Sequence, residues 1–348
     1  MIQELKGKFY PTSVGSLPYK DSKFACEKIL KVFKEIPFWP QLIKRSFAEN
    51  MYVQFSEKLP GVVVDSKEKR IYVDTQKDLS PELEKLYEKF LQNDLDFFAI
   101  SRDHAEGLYE LIEAVKKMSS KPKFLKGQIT GPVSFGLTVT DDKRRSLFYN
   151  TEMKEAILKT LAMRVKWQIR KLKETGIDCI IIIDEPYLTS IGSSYVSLKK
   201  EDALLGLNEV ISAIHQEGAI CGIHCCGNTD WAFLLNTDVD IVNFDAYNFY
   251  ESISLYPKEL EAFLTKGGLL AWGIVPNGKE VLEESDDSLV ERFKNASKLL
   301  INKGIKEKAI LDSMLVTPSC GLGLADEHIT TAVMDRLIGV SDKLRKAG

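Results

Sequence analysis

The sequence predicts an α/β protein, a (β/α)8 TIM barrel with an N-terminal hairpin insertion. Three observations carry that expectation. Short β-branched or apolar runs alternate with amphipathic helical stretches over most of the chain, the pattern of a parallel sheet with crossover helices. Cys179-Ile180-Ile181-Ile182-Ile183 is apolar without a break, as befits a parallel strand covered on both faces. No GxGxxG turn follows the first strand or occurs elsewhere, so the competing doubly wound dinucleotide fold lacks its fingerprint.

The strand candidates in order are Thr12–Ser16, Phe97–Ser101, Phe124–Thr130, Cys179–Ile183, Ala219–His224, Ile241–Phe244, Leu269–Ile274 and Leu311–Thr317. Helical periodicity falls between them at Ser22–Lys34, Ala105–Lys117, Glu152–Thr175, Lys200–Glu217, Asp230–Asn236, Pro257–Lys266, Ser288–Lys303 and Glu327–Lys346. Eight strands, each followed by a helix, is the count that closes a barrel. Residues 37–95 do not fit one βα unit. There Val62-Val63-Val64 and Ile71-Tyr72-Val73, separated by Asp65–Arg70, read as a hairpin inserted near the rim. With no repeat, low-complexity tract or linker, residues 1–348 are expected to form a single domain.

The chain has 348 residues, 44% hydrophobic and 28% charged, with a formal net charge of −3 and an isoelectric point near 6.0. That composition excludes a disordered chain, and the charge balance gives no footprint for nucleic acid. No stretch has the roughly 20 apolar residues of a membrane span, and the start Met1-Ile2-Gln3-Glu4-Leu5-Lys6 lacks the character of a signal peptide. The six cysteines are Cys26, Cys179, Cys221, Cys225, Cys226 and Cys320. Three lie between positions 221 and 226, which suits thiols kept reduced in the cytoplasm better than a disulfide framework. Cys26, Cys179 and Cys221 read as core residues.

Barrel chemistry sits at the C-terminal strand ends. Here those ends concentrate polar, Gly and Pro residues: Val14-Gly15-Ser16-Leu17-Pro18, Gln128-Ile129-Thr130-Gly131-Pro132, Asp184-Glu185-Pro186, His224-Cys225-Cys226-Gly227, Asp245 and Pro318-Ser319-Cys320-Gly321. Residues i and i+2 point to one side of a strand, so His224 and Cys226 can face one ion while Cys225 turns away. Barrel closure brings Cys320 to the same mouth. One imidazole and two thiolates suit Zn²⁺, and three protein ligands with an open fourth position is the catalytic pattern. Asp245 offers a carboxylate as a fourth, displaceable ligand. The competing reading is that these are small core residues, since free cysteine also packs as a hydrophobe.

These segments resemble a known zinc site. His224-Cys225-Cys226, the Asp245 strand end and Thr317-Pro318-Ser319-Cys320-Gly321-Leu322 are similar to those of cobalamin-independent methionine synthase. Val14-Gly15-Ser16-Leu17-Pro18, Thr130-Gly131-Pro132-Val133 and Asp184-Glu185-Pro186 resemble its other motifs, in order. The resemblance spans nearly the whole chain but only the C-terminal, catalytic half of that enzyme. Gln128-Ile129-Thr130-Gly131-Pro132 and His224-x-Cys226-Gly227 equally resemble the uroporphyrinogen decarboxylase-like methyltransferases, which take methyl groups from corrinoid proteins and share the barrel superfamily.

The resemblance implies zinc on His224, Cys226 and Cys320, with Asp245 where the synthase has a longer Glu. It places Asp184 on the amino group of a homocysteine-like thiol and Ser16 on its carboxylate. The region Met51–Leu59, where the family supplies a Glu for the amino group, offers Val53 or Gln54 instead. No His occurs in Leu269–Asn277, where the synthase has one that assists transfer, and the folate-binding half is absent. A methylcorrinoid on a carrier protein is therefore expected as donor in preference to methylfolate. A related corrinoid methyltransferase with another thiol acceptor stays open. So does a zinc hydrolase in which Asp184, Glu185 or Asp245 acts as base.

Overall fold

The computed structural model describes residues 1–191 and 198–347. Nine strands occur among them: β1 (Val62–Asp65), β2 (Arg70–Val73), β3 (Phe124–Thr130), β4 (Thr140–Asp141), β5 (Asp178–Asp184), β6 (Ile220–Cys225), β7 (Ile241–Phe244), β8 (Leu269–Val275) and β9 (Met314–Pro318). Six of them build one wholly parallel sheet in the order β3-β5-β6-β7-β8-β9. Single parallel bridges continue beyond both edges of this sheet: Val316 to Pro11, Ser16 to Gln41, and Phe38 to Lys126. The architecture is consistent with a TIM-like barrel.

Side-chain alternation explains why the sheet curls around an interior. Ile180 and Ile182 of β5, Ile220 of β6, Ile241 of β7, Leu269 and Ala271 of β8 and Leu315 of β9 form one apolar cluster with Leu5, Tyr10, Ile36 and Phe124. Their neighbours Ile181, Ile183, Ile223, Val242, Phe244, Leu270, Trp272 and Val316 point the other way and pack with the helices. Period-two alternation thus supplies two apolar faces, the arrangement that a covered parallel sheet requires. Cys26, Cys179 and Cys221 are buried, as core residues would be.

Helices follow the strands with conventional end chemistry. Thr151–Lys173 starts at Asn150, whose Oδ1 accepts from Met153 N at 3.1 Å, and carries Arg170, Lys171 and Lys173 in its last turn. The cap satisfies an otherwise orphaned N–H, and the cations suit the negative end of the helix.

Three expectations need correction. Thr12–Ser16 is not a strand: the segment makes only single bridges, Pro11 with Val316 and Ser16 with Gln41, with no continuous ladder between them. Phe97–Ser101 is not a strand: Leu95–Phe98 is a 3-10 turn, with Asp94 Oδ1 accepting from Phe97 N at 3.2 Å. The apolar pair Phe97-Phe98 imitates a strand, but the capping aspartate claims the backbone first. The chain between Glu35 and Gln41 lies beside β3 instead, with Lys126 N donating to Pro37 O at 2.9 Å and Trp39 N to Lys126 O at 3.2 Å. Pro37–Gln41, expected to open the insertion, therefore pairs with the main sheet. The third correction is that the final strand begins at Met314, because Glu307–Asp312 is helical. The expected hairpin does pair, from Val62 with Val73 to Asp65 with Arg70, and β2 also takes β4 in parallel.

No helix among the described residues is long and apolar enough to cross a membrane.

Candidate metal and substrate site

The parallel register sets one row of polar side chains across three strands. Thr130 of β3 pairs with Asp184 of β5, and Asp184 pairs with His224 of β6. His224 follows Ile220 and Gly222 on the inner face, while Cys225 turns outward into the apolar layer. Cys226 lies just past the strand end, and Cys320 lies in the turn after β9.

One ligand atom from each of His224, Cys226 and Cys320 lies within 4.8 Å of the other two. His224 is only 3% exposed, and neither ring nitrogen has a hydrogen-bond partner. A buried imidazole with both nitrogens unpaired is costly, and a metal ion on one nitrogen would offset that cost. The neighbouring Cys320 thiol and the His224 imidazole pull the Cys226 thiol below its ordinary range, which favours a thiolate. A borderline-soft donor set with an orphaned imidazole fits Zn²⁺.

Asp184 stands beside this trio. Its Oδ1 is buried without a partner, and burial raises the carboxyl to about 6, against the pull of His224 and Lys126. Lys126, from the middle of β3, is 3% exposed and donates to Val14 O at 2.6 Å. Burial brings its ammonium down to about 8, and Asp184 acts in the opposite direction. A buried lysine thus stands on the inner face of the curled sheet within electrostatic reach of Asp184. The only sequence signal for it was a lysine interrupting the apolar start of β3.

Glu185 has a different task from Asp184. Its carboxylate is fully buried and accepts from Val133 N at 2.9 Å, Ser134 N at 2.8 Å and Ser134 Oγ at 2.6 Å. It ties the end of β5 to the first turn of Pro132–Thr138. Gly131 makes that approach possible, because a Cβ there would lie 2.1 Å from Glu185 Oε1. The motifs Thr130-Gly131-Pro132 and Asp184-Glu185-Pro186 are therefore two halves of one joint.

The remaining expected site residues are placed as follows. Asp245 caps the helix Ala246–Ile253, its Oδ1 accepting from Asn248 N at 2.9 Å and its Oδ2 from Asn248 Nδ2 at 2.7 Å. It is not part of the trio that converges within 4.8 Å. Ser16 Oγ accepts from Gly323 N at 3.1 Å, so the first motif touches the turn that carries Cys320. Gln54 is fully buried, with its Oε1 accepting from Gln41 Nε2 at 2.7 Å and its Nε2 donating to His104 O at 2.5 Å.

No protein-family model matches the chain, and no curated protein matches it. Solved structures do. The chain is similar to a B12-independent methionine synthase from Shewanella sp. W3-18-1 in complex with selenomethionine, at 15% identity and a TM-score of 0.56, over 97% of this chain and 98% of that one. It is also similar to a methyltransferase from Methanosarcina mazei, at 14% identity and a TM-score of 0.55, over 99% of this chain and 90% of that one. At such identities the likeness shows the fold.

Proposed function

We propose that this chain is a cytoplasmic, zinc-dependent methyltransferase that methylates a homocysteine-like thiol. We read residues 1–348 as one domain, a (β/α)8 barrel with the β1–β2 hairpin as its insertion. The observation that carries the functional reading is the convergence of His224, Cys226 and Cys320 around an imidazole with no partner. The two structural neighbours, named as a methionine synthase and a methyltransferase, support it.

A free alkyl thiol is mostly protonated at neutral pH and reacts as its thiolate. When bound, zinc supplies the positive charge that keeps such a thiol deprotonated. The chain's own residues then orient the acceptor. The unpartnered Oδ1 of Asp184 is suited to accept from an ammonium group. The Ser16 oxygen is fixed by Gly323 N, and its hydroxyl hydrogen is suited to donate to a carboxylate. Gln54, already bridging Gln41 and His104, would line the amino-group side as a neutral wall. Positioning of this kind can supply a large part of a rate enhancement.

Asp245 is tied at both oxygens to Asn248. That removes Asp245 as a free base for hydrolysis and leaves Asp184, whose free oxygen the proposed reading assigns to the acceptor's ammonium group. Asp245 would serve as a fourth zinc ligand only by leaving those contacts. For the donor, a methylcorrinoid on a carrier protein suits a chain with no His in Leu269–Asn277 to assist transfer from a folate. Exposed Tyr187, Phe249, Leu282 and Leu324, in segments that follow β5, β7, β8 and β9, offer apolar surface for such a carrier.

X-ray absorption at the zinc edge tests the acceptor. The expected result is one additional sulfur scatterer when homocysteine is added to the zinc-loaded protein. An unchanged coordination shell across a panel of thiols would refute thiol activation.

A further inference from the structure

We propose that Asn277 is a positioning residue for the metal: its side chain and backbone clamp the turn Ser319-Cys320-Gly321 on both sides, and this clamp sets the Cys320 sulfur in place as a ligand. The inference rests on the reading of His224, Cys226 and Cys320 as a zinc site.

Asn277 lies two residues beyond β8, and Cys320 two residues beyond β9. The two strands are adjacent, but their register shifts between Gly273 and Val275. The regular ladder therefore ends before Cys320. Ser319 N still reaches Val275 O at 2.8 Å; past that bond, Asn277 supplies the fixed contacts from this side.

Ser319 Oγ donates to Asn277 Oδ1 at 3.0 Å and accepts from Asn277 N at 3.2 Å. Asn277 Nδ2 donates to Gly321 O at 3.1 Å. The residue before Cys320 and the residue after it are thus held by one side chain. From the opposite side, Ser16 O accepts from Leu322 N at 3.1 Å and Ser16 Oγ from Gly323 N at 3.1 Å. A Cβ on Gly321 would lie 2.4 Å from Ser16 Oγ, so the turn is seated closely against that serine.

This arrangement has a specific consequence. His224 is fixed by a strand and Cys226 follows it by two residues, whereas Cys320 comes from the far end of the chain. Its placement relative to the other two depends on the turn rather than on a shared strand. Groups that hold metal ligands in place commonly matter 10- to 100-fold for metal affinity. Asn277 makes three contacts to the residues that flank Cys320; the two through its side chain need an amide, because Oδ1 accepts while Nδ2 donates, and the third uses its backbone N–H.

The test compares wild type with Asn277→Ala, Asn277→Asp and Ser319→Ala. Zinc affinity is measured by competition with a chromogenic chelator, and the ligand set by the absorption spectrum of the cobalt(II)-substituted protein. Asn277→Ala is expected to weaken zinc binding about 10- to 100-fold and to reduce the thiolate-to-cobalt band, with far-ultraviolet circular dichroism unchanged. Asn277→Asp keeps the acceptor for Ser319 Oγ but loses the donor to Gly321 O, and is expected to fall between wild type and Asn277→Ala. Ser319→Ala, which leaves the Gly321 contact, is expected to lose less than Asn277→Ala. Wild-type affinity together with an unchanged cobalt spectrum in both Asn277 variants would overturn the clamp alone. Failure of the wild-type protein to bind zinc would overturn the zinc reading and the clamp with it. Should Asn277→Ala fold poorly, the Asn277→Asp and Ser319→Ala spectra decide the matter.

Discussion

Cys320→Ala is expected to emerge from purification with little or no zinc, while the wild-type protein carries one ion per chain. The variant removes one of the three donors that converge within 4.8 Å, and it is the one donor that does not come from the end of β6. The remaining imidazole and thiolate form a two-ligand site, which structural and catalytic zinc proteins do not use. His224→Ala should act in the same direction and, in addition, remove the buried orphaned ring nitrogens. Metal analysis by mass spectrometry reads the result, and retention of a full equivalent of zinc in Cys320→Ala would contradict the assignment. The fold should survive both substitutions, since the apolar clusters inside and outside the sheet contain none of the three ligands.

Glu185→Ala is expected to cost about 3–5 kcal/mol of unfolding free energy, read from urea denaturation, since it strands several polar groups at once. The carboxylate satisfies two backbone N–H groups and one hydroxyl in a fully buried position. An unpaired buried donor costs about 1–3 kcal/mol, and the hydroxyl can recover part of that by rotating. Gly131→Ala should give a loss of the same origin, because the added methyl must displace the carboxylate from 2.1 Å. A cost within about 1 kcal/mol of wild type for Glu185→Ala would show that the joint between β5 and Pro132–Thr138 carries little. Asp184 is its neighbour in sequence, yet it has an unpartnered oxygen and no such latch. The pair Asp184-Glu185 thus divides between the site and the scaffold.

Much of this was legible in the sequence because it rests on periodicity. Cys179–Ile183 and Ile241–Phe244 announce covered parallel strands, and the i, i+2 spacing of His224 and Cys226 announces a shared direction. Cys320 could be joined to them because a barrel brings its strand ends to one mouth. Phe97–Ser101 misled because an apolar run has no marker for a capped turn except the aspartate three residues before Phe97. The stretch beside β3, Pro37–Gln41, contains two prolines and gives no alternating pattern, so its pairing with β3 was invisible. Asn248 and Asn277 were overlooked for a related reason. Short polar residues after strands are ordinary turn formers, and only coordinates reveal that one ties up Asp245 and the other brackets Cys320. Lys126 left a faint trace as a charge between apolar neighbours, but the opposing Asp184 lies far away in sequence.

The most direct test of the central claim is a pair of methyl-transfer assays run side by side on the zinc-loaded protein with homocysteine as acceptor. One uses methylcobalamin or a methylcorrinoid protein as donor, the other methyltetrahydrofolate. Methylfolate is a poor electrophile until its departing nitrogen is protonated, so its use requires a placed acid, and Leu269–Asn277 contains no His for that task. A methylcorrinoid needs no such proton, because its cobalt departs as a stabilised reduced species. The account predicts formation of the S-methyl product from the corrinoid donor, with little or none from the folate. Turnover with the folate alone would contradict the proposed donor, and no S-methylation from either donor would contradict the proposed function.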